Sequence, residues 1–298
     1  YTITETQPAG YLDGADSAGT ARGTPVEPDT ITDVALPAGV DATGYDFGEL
    51  PVGVISGSVV DTLGRPIEGV TVTLTGEDVN GDPVSVVAVT AADGTFSFVG
   101  LLPGTYTLTE TQPIGYSDVG ATVGTLGGDT TVANVISGIV IGFEETDTVS
   151  TGNVFTEGVS SLAGTVYLDS DENGSRDPGE PGIAGVTMTL TGTDAAGNSV
   201  ERTTVTAGDG TYVFDGLLAG VYAITQTQPP GYADGPDVAG TAGGTVTGPD
   251  SITAIDLPAG FDAIGYDFSE LGLPISGTVF FDRDRDGALR EDGPSDLD

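Results

Sequence analysis

The chain has 298 residues, of which 45 are acidic and 7 are basic, and its formal net charge is −38 at pH 7. It contains no Cys and no His, and all seven basic residues are Arg. These absences exclude disulfides, thiolate and imidazole metal sites, Ser-His-Asp hydrolysis and any chemistry that needs a lysine. So acidic a surface repels nucleic acid and anionic lipid at long range and attracts cations. We therefore expect no nucleic-acid partner and no insertion into a membrane, although many of these acids can equally serve solubility alone.

The chain is built from related units. YTITETQPAGYLDG at residues 1–14 recurs in similar form at 106–119 and 222–235, and LPAGVDATGYDFGEL at 36–50 recurs at 257–271. Such self-similarity at a long period is the mark of a repeat protein. It divides the chain into the C-terminal half of one unit, two complete units and the start of a fourth: residues 1–53, 54–161, 162–273 and 274–298. We therefore expect this sequence to be part of a longer array.

Apolar and polar residues alternate along short runs within each unit. Val70, Val72 and Leu74 alternate with threonines, which is the pattern of a β-strand with one buried face. Asp-Gly pairs at 92–95 and 208–211 lie between two such runs and favour hairpin turns. About seven short strands per unit are typical of a sandwich of two sheets. We predict an all-β fold of tandem seven-stranded β-sandwiches strung end to end.

A twelve-residue acidic stretch, DSDENGSRDPGE at residues 169–180, interrupts the strand pattern of the second complete unit. Calcium takes about six to eight oxygen ligands, and a loop of the EF-hand type supplies them from positions 1, 3, 5, 7, 9 and 12, with Gly at position 6. Gly174 stands at position 6. Each ligand position holds a suitable group, namely Asp169, Asp171, Asn173, Ser175 through its backbone carbonyl, Asp177 and Glu180. A solvated acidic turn is the alternative, but so complete a match favours a calcium site.

A second, less complete calcium loop is predicted at residues 282–293. Its candidate ligands are Asp282, Asp284, Asp286, Glu291 and Asp292. Arg290 and Gly293 stand where positions 9 and 12 need oxygen ligands, so the match requires a loop that is one residue longer.

The first complete unit is shorter at the equivalent place. Gly57 and Gly76 are 19 positions apart, whereas Gly164 and Gly192 are 28 apart. Asp61 is retained, but the residues that would complete the loop are missing. We predict that this unit lacks the calcium site.

Other acidic residues are weaker candidates. Asp13 and Asp16, and likewise Asp234 and Asp237, are spaced DxxD after equivalent tyrosines. They predict either a second cation site or ordinary surface turns. Asp46 and Asp267, in the motif GYDF, directly precede the next unit in sequence, and we hypothesise that they reach that unit's calcium loop.

The repeat motifs resemble a known family. GTVYLDSDENGSRDPGEPGIAGVTMTLTG at 164–192, GDGTYVFDGLLAGVYAITQTQPPGY at 208–232 and GYDFSEL at 265–271 together resemble the B-type repeats of serine-aspartate-repeat surface adhesins. These are similar in turn to collagen-adhesin B-type domains, so the resemblance implies Greek-key sandwiches of the prealbumin or immunoglobulin-like type. It also implies a secreted, multi-repeat bacterial surface protein whose repeats form a calcium-stiffened stalk. Many relatives of that fold carry a Lys–Asn isopeptide bond, which cannot form in a chain without lysine.

These observations favour a structural role. We predict a segment of a secreted or cell-surface stalk or fibre that calcium, the only expected cofactor, makes rigid. Its partners are then the neighbouring repeats of the same long chain. Two alternatives stay open: an adhesive module that binds a host protein or a glycan, and a subunit of a self-assembling extracellular filament. We predict no enzymatic activity, because the acidic residues recur with the architecture and mark no separate pocket.

Overall fold

The structure is a computed structural model that describes residues 1–273. In that range it consists of β-strands and one 3₁₀ turn, Glu145–Asp147, so the predicted all-β class is confirmed. Within the same range no helix has the length and apolarity needed to cross a membrane. The second predicted calcium loop lies outside the described residues, and with it the candidate ligands Asp282, Asp284, Asp286, Glu291 and Asp292.

The N-terminal segment contains short strands in two small sheets. One sheet has the order β1-β4-β3 and the other pairs β2 with β5, and the buried apolar side chains are those of Ile31 and Val34. The strands are β1 (Ile3–Thr4), β2 (Tyr11–Asp13), β3 (Thr24–Val26), β4 (Thr30–Thr32) and β5 (Glu49–Pro51).

The next eight strands form a sandwich of two four-stranded sheets. They are β6 (Gly53–Asp61), β7 (Thr71–Asp78), β8 (Pro83–Val89), β9 (Thr95–Leu101), β10 (Gly104–Glu110), β11 (Ser117–Thr122), β12 (Val135–Ile141) and β13 (Val149–Gly158). The sheet orders are β12-β10-β7-β8 and β11-β13-β6-β9. This sandwich has eight strands, whereas the sequence predicted seven. The additional strand is β11, whose sequence SDVGAT is polar, contains Gly and shows no alternation.

The last ten strands form a second sandwich. They are β14 (Ser160–Leu168), β15 (Thr187–Asp194), β16 (Ser199–Val205), β17 (Thr211–Leu217), β18 (Gly220–Gln226), β19 (Tyr232–Asp234), β20 (Thr245–Val246), β21 (Ser251–Leu257), β22 (Asp262–Ala263) and β23 (Phe268–Gly272). One sheet has the order β17-β14-β23-β19, with β22 also beside β14, and the other β16-β15-β18-β21-β20.

Apolar side chains that alternate along the strands fill the space between the sheets of each sandwich. In the second sandwich Met188 and Leu190 of β15 are fully buried, as are Phe268 of β23 and Tyr266 just before it. The threonines between the apolar residues of β15 face outward to varying degrees. The period-two pattern therefore selects the buried face, as expected from the sequence.

The first and last strands of each sandwich lie side by side and run parallel. β6 pairs with β13, and β14 pairs with β23. Because parallel neighbours end at the same edge, the loop that follows the first strand lies next to the residues that leave the unit. In the second sandwich the backbone N–H of Asp169 donates to the carbonyl of Glu270 at 2.9 Å. This arrangement places the acidic loop at the exit of the sandwich.

Candidate metal centre

The predicted calcium loop begins where β14 ends. Asp169 is buried, with 1% of its surface exposed, whereas most of the loop that follows is open to solvent. Carboxylate oxygens of Asp169, Asp171 and Glu180 all lie within 4.8 Å of one another. The structure therefore brings positions 1, 3 and 12 of the predicted loop together at one point.

Hydrogen bonds to Asp169 close the turn of the loop. Its Oδ2 accepts from the N–H of Gly174 at 2.8 Å, and its Oδ1 accepts from the N–H of Asn173 at 3.2 Å. Gly174 has φ +76°, a conformation that glycine adopts without steric cost. The requirement for Gly at position 6 is therefore met by the backbone as well as by the sequence.

The remaining predicted ligands belong to the same network. The side-chain amide of Asn173 donates to Asp171 Oδ2 at 3.0 Å and to Asp177 Oδ2 at 2.8 Å, and its oxygen accepts from the N–H of Ser175 at 2.8 Å. All these groups face the turn. Hydrogen bonds therefore connect all the ligands predicted in residues 169–180. Ser175 is connected through its backbone N–H and the others through their side chains.

Glu180 closes the loop from its far end. Its Oε1 accepts from the N–H of Ser170 at 2.6 Å, and its Oε2 accepts from the N–H of Asp177 at 2.9 Å. Both carboxylate oxygens are thus turned into the loop. One of them lies within 4.8 Å of carboxylate oxygens of Asp169 and Asp171.

Asp169 is held in its ionised form. Burial alone acts to raise the pKa of this carboxyl, but the N–H groups of Gly174, Asn173 and Glu172 donate to it and together lower its pKa below the ordinary value. Tyr167, fully buried on the same strand, has its pKa raised to about 12 by burial and by the neighbouring carboxylates of Asp169 and other acids. The site thus concentrates negative charge, which suits a hard divalent cation.

Arg176 ties the loop to the sandwich. Its guanidinium donates to Thr165 Oγ1 and to the carbonyl of Asp209, both at 3.3 Å. Asp267, which we hypothesised to reach the following unit, instead accepts from the N–H of Thr165 at 2.8 Å and so faces its own sandwich. The loop therefore rests on a fixed base of strand residues.

The first sandwich differs at the corresponding loop. The N–H of Thr62 donates to the carbonyl of Glu157 at 2.9 Å, just as the N–H of Asp169 does to Glu270. Thr62, and not Asp61, is therefore the structural counterpart of Asp169. Asp61 is one position earlier, where its buried carboxylate accepts from residues of its own turn.

The DxxD aspartates lie in a second acidic cluster that also includes residues from other strands. The pKa of Asp237 is raised to about 7 by burial and by the carboxylates of Asp234, Asp250 and Glu270, and both of its carboxylate oxygens are closed off from solvent. In the N-terminal segment the same repeat position gathers carboxylates within 4.8 Å of one another, those of Glu5, Asp29 and Glu49.

Sequence reasoning missed the glutamates of this cluster. The available signal was their recurrence, because Glu5 and Glu110 occupy the same place in the motif TETQP, and Glu49 and Glu270 follow the motif GYDF. In the first sandwich Glu110 and Glu157 are 3% and 0% exposed. Burial, followed by the neighbouring carboxylates, raises the pKa of Glu110 to about 8, and burial raises that of Glu157 to about 7. This pair therefore retains a proton near neutral pH.

Comparisons with known proteins identify two family matches. Residues 160–254 match the family described as SdrD B-like domain, and residues 54–156 match the one described as carboxypeptidase regulatory-like domain. Serine-aspartate repeat-containing protein D of Staphylococcus aureus (strain Newman) is 31% identical over 237 residues, which cover 76% of this chain and 17% of that protein. Serine-aspartate repeat-containing protein F of Staphylococcus epidermidis is 32% identical over 244 residues, covering 78% and 13%.

The chain thus spans less than a fifth of the length of these relatives. Among solved structures, the major pilin from Streptococcus pyogenes aligns with 74% of this chain and 98% of its own at 12% identity, with a TM-score of 0.37. The sequence relatives and the family match confirm the resemblance that the repeat motifs indicated: this chain is similar to the serine-aspartate repeat-containing proteins, and its residues 160–254 match the SdrD B-like domain.

Proposed function

We propose that this chain is a structural segment of an extracellular bacterial stalk or fibre, and that calcium bound by the 169–180 loop makes it rigid. The observation that carries the proposal is the position of the loop. Asp169 is hydrogen bonded to Glu270 in the last strand, so a cation held by Asp169, Asp171 and Glu180 sits beside the residues that leave the sandwich. The kinship with the serine-aspartate repeat-containing proteins supports a surface location.

The physical mechanism is the removal of repulsion and of chain freedom. Without a cation, three carboxylates lie within 4.8 Å of one another, and their mutual repulsion favours opening of the loop. A divalent cation replaces this repulsion by attraction and links Asp169, at the end of β14, to Glu180 at the far end of the loop. Each backbone residue so ordered loses about 1–2 kcal/mol of conformational entropy, which the metal–oxygen bonds offset.

The repeat frame sets the wider role. We propose that residues 1–53, 54–161, 162–273 and 274–298 are parts of successive structural units, whose partners are their neighbours in the same chain. The sheets support this division, because strands β6–β13 pair only with one another and strands β14–β23 do likewise in the described part of the chain. A stalk made in this way carries its ligand-binding parts, if the full protein has any, away from the cell surface.

Calcium titration calorimetry tests the metal site. The double variant Asp169→Asn, Glu180→Gln removes the first and last ligands and is expected to abolish one binding event per chain. The control Asp256→Asn, Glu201→Gln makes the same change of charge at two exposed strand positions and is expected to leave that event intact. Equal calcium binding by both variants would refute the assignment of the site to this loop.

A second candidate function is lateral self-association into filaments. β8 is an edge strand of its sheet, and its Val86, Val87 and Val89 are 45%, 59% and 58% exposed. An apolar edge strand can pair with a second copy of itself. Sedimentation velocity over a concentration series in calcium tests this function: Val87→Lys is expected to weaken any association, and a wild-type chain that stays monomeric throughout rules it out.

A further inference from the structure

The two sandwiches are joined by a very short connection. β13 ends at Gly158 and β14 begins at Ser160, so Val159 alone separates them. One connecting residue restricts how far the two units can move apart, but by itself leaves rotations about its backbone bonds. Further contacts across this joint therefore decide whether the angle between the sandwiches is fixed.

Backbone contact supplies a second attachment. The N–H of Ala219, in the second sandwich, donates to the carbonyl of Gly115, in the first, at 2.9 Å. The approach is close enough that a Cβ added to Gly115 would lie 3.0 Å from the Cβ of Leu218. Elsewhere in the joint, a Cβ added to Gly260 would lie 2.0 Å from Ser117 Oγ. The two end faces are therefore in direct contact.

Arg65 supplies a third attachment. Its Nε lies 2.5 Å from Oδ2 of Asp61 in the first sandwich, and its Nη2 donates to the carbonyl of Gly216 in the second at 3.3 Å. A Cβ on Gly216 would lie 2.7 Å from both terminal nitrogens of the guanidinium. Glycine at 216 thus leaves the space that Arg65 occupies.

The ion pair itself is anchored on the first sandwich. The side chain of Asp61 is 2% exposed, and its Oδ1 accepts from the N–H groups of Leu63 and Arg65, both at 2.9 Å. The backbone of its own turn therefore holds the Asp61 carboxylate in place, independently of its contact with the Arg65 guanidinium. The planar guanidinium donates from separate nitrogens at fixed positions, whereas an ammonium group donates from a single nitrogen.

The turn that carries Arg65 occupies the place that the acidic loop occupies in the second sandwich. Both follow the first strand of their sandwich, and both are bonded to the last strand, through Thr62 and Glu157 in one case and through Asp169 and Glu270 in the other. At this position one sandwich offers three carboxylates within 4.8 Å of one another, whereas the other already contains a positive charge.

We propose that Arg65 is a built-in clamp that fixes the angle between the two sandwiches without a metal ion. Its partner is the Gly216 turn of the following unit in the same chain, and Gly115 and Val159 provide the other two points of attachment. The clamp goes beyond the calcium proposal and does not depend on it, because none of the residues that Arg65 contacts belongs to the acidic loop. The chain then has a joint at 158–160 that chelators do not affect, and a calcium-responsive exit after Gly272.

Distances between spin labels on the two sandwiches test the clamp in the full chain. The sequence has no Cys, so Ser85→Cys and Thr203→Cys, both exposed, place one label on each sandwich. In this background Arg65→Ala removes the clamp, and Arg65→Lys keeps the charge but has one donor nitrogen in place of the two that contact Asp61 and Gly216. Arg202→Ala is the matched control, because Arg202 contacts the carbonyl and carboxylate of Asp215 within one sandwich.

The unaltered chain and the Arg202→Ala control are expected to give one narrow distance distribution that is the same in calcium and in chelator. Arg65→Ala and Arg65→Lys are expected to broaden it in both conditions. A distribution that stays narrow in Arg65→Lys, which retains the charge beside Asp61 and so protects the fold, overturns the clamp. Broadening of the unaltered chain in chelator also overturns it, because the joint would then depend on metal.

Discussion

Replacing Glu110 by Gln is expected to stabilise the first sandwich at neutral pH. Glu110 is 3% exposed and lies beside Glu157, which is fully buried. The second sandwich already contains this substitution, because Gln226 stands at the equivalent place and its amide donates to Glu270. The amide side chain is therefore compatible with the packing, and it carries no charge to bury.

The size of the effect follows from proton linkage. The pKa of Glu110 is about 8 in the folded chain, against an ordinary value of 4.5, so the native state binds more protons than the unfolded state between these values. Glu110 therefore does not lower the free energy of unfolding below about pH 4.5, and lowers it progressively as the pH rises toward 8. At pH 7 the loss is about 3 kcal/mol, because each pKa unit between 4.5 and 7 corresponds to about 1.4 kcal/mol.

Differential scanning calorimetry of the full chain at pH 5 and pH 7.5 measures this effect. In the unaltered chain the transition of the first sandwich is expected to shift to lower temperature as the pH rises. In Glu110→Gln that shift should become smaller, and the part that remains is due to Glu157, whose pKa burial raises to about 7. Glu68→Gln, an exposed position in the same sandwich, is the control and should behave as the unaltered chain does. A pH-dependent shift of equal size in Glu110→Gln would refute the reasoning.

Three further predictions concern the acidic loop and the packing. Asp169→Asn is expected to weaken calcium binding about ten-fold or more in calorimetric titration, because a charged ligand at position 1 becomes neutral; unchanged affinity would contradict the predicted ligand set. Gly164→Ala should lower the melting temperature of the second sandwich, at a cost of about 3 kcal/mol or more, because its Cβ would lie 1.8 Å from the carbonyl oxygen of Tyr266. Gly208→Ala, which has open space around it, should melt normally, and equal melting of the two variants would contradict the packing. Asn153→Ala should cost the first sandwich about 2 kcal/mol in urea unfolding, because this fully buried amide makes three hydrogen bonds, and a loss below the error of the fit would contradict their contribution.

The strands were predictable where side chains alternate and not where they do not. β7 and β15 show the period-two pattern in Val72 and Leu74, and in Met188 and Leu190, so their buried faces could be read from the sequence. β11 has no such pattern, because it is held by pairing with β13 rather than by an apolar face.

The acidic loop was predictable because its ligands are local in sequence. Spacing alone places Asp169, Asp171 and Glu180 in one turn, and the structure brings their oxygens together. The second cluster was not predictable in the same way, because Glu5 and Glu49 approach each other only after distant strands have paired. In the first sandwich the sequence pointed to Asp61 as the residue retained at this position, whereas the structural counterpart of Asp169 is Thr62. The pairing register of the strands, and not the presence of an aspartate, determines which residue faces the last strand.

Hydrogen-exchange mass spectrometry of the full chain in calcium and in chelator tests the central claim most directly. If calcium binds the acidic loop and orders the exit of the sandwich, calcium should slow exchange in peptides that cover residues 168–181 and 268–273. Exchange beside Val159 should stay the same in both conditions, because that joint contains no metal ligand. Exchange at 168–181 and 268–273 that is equal with and without calcium would contradict the account.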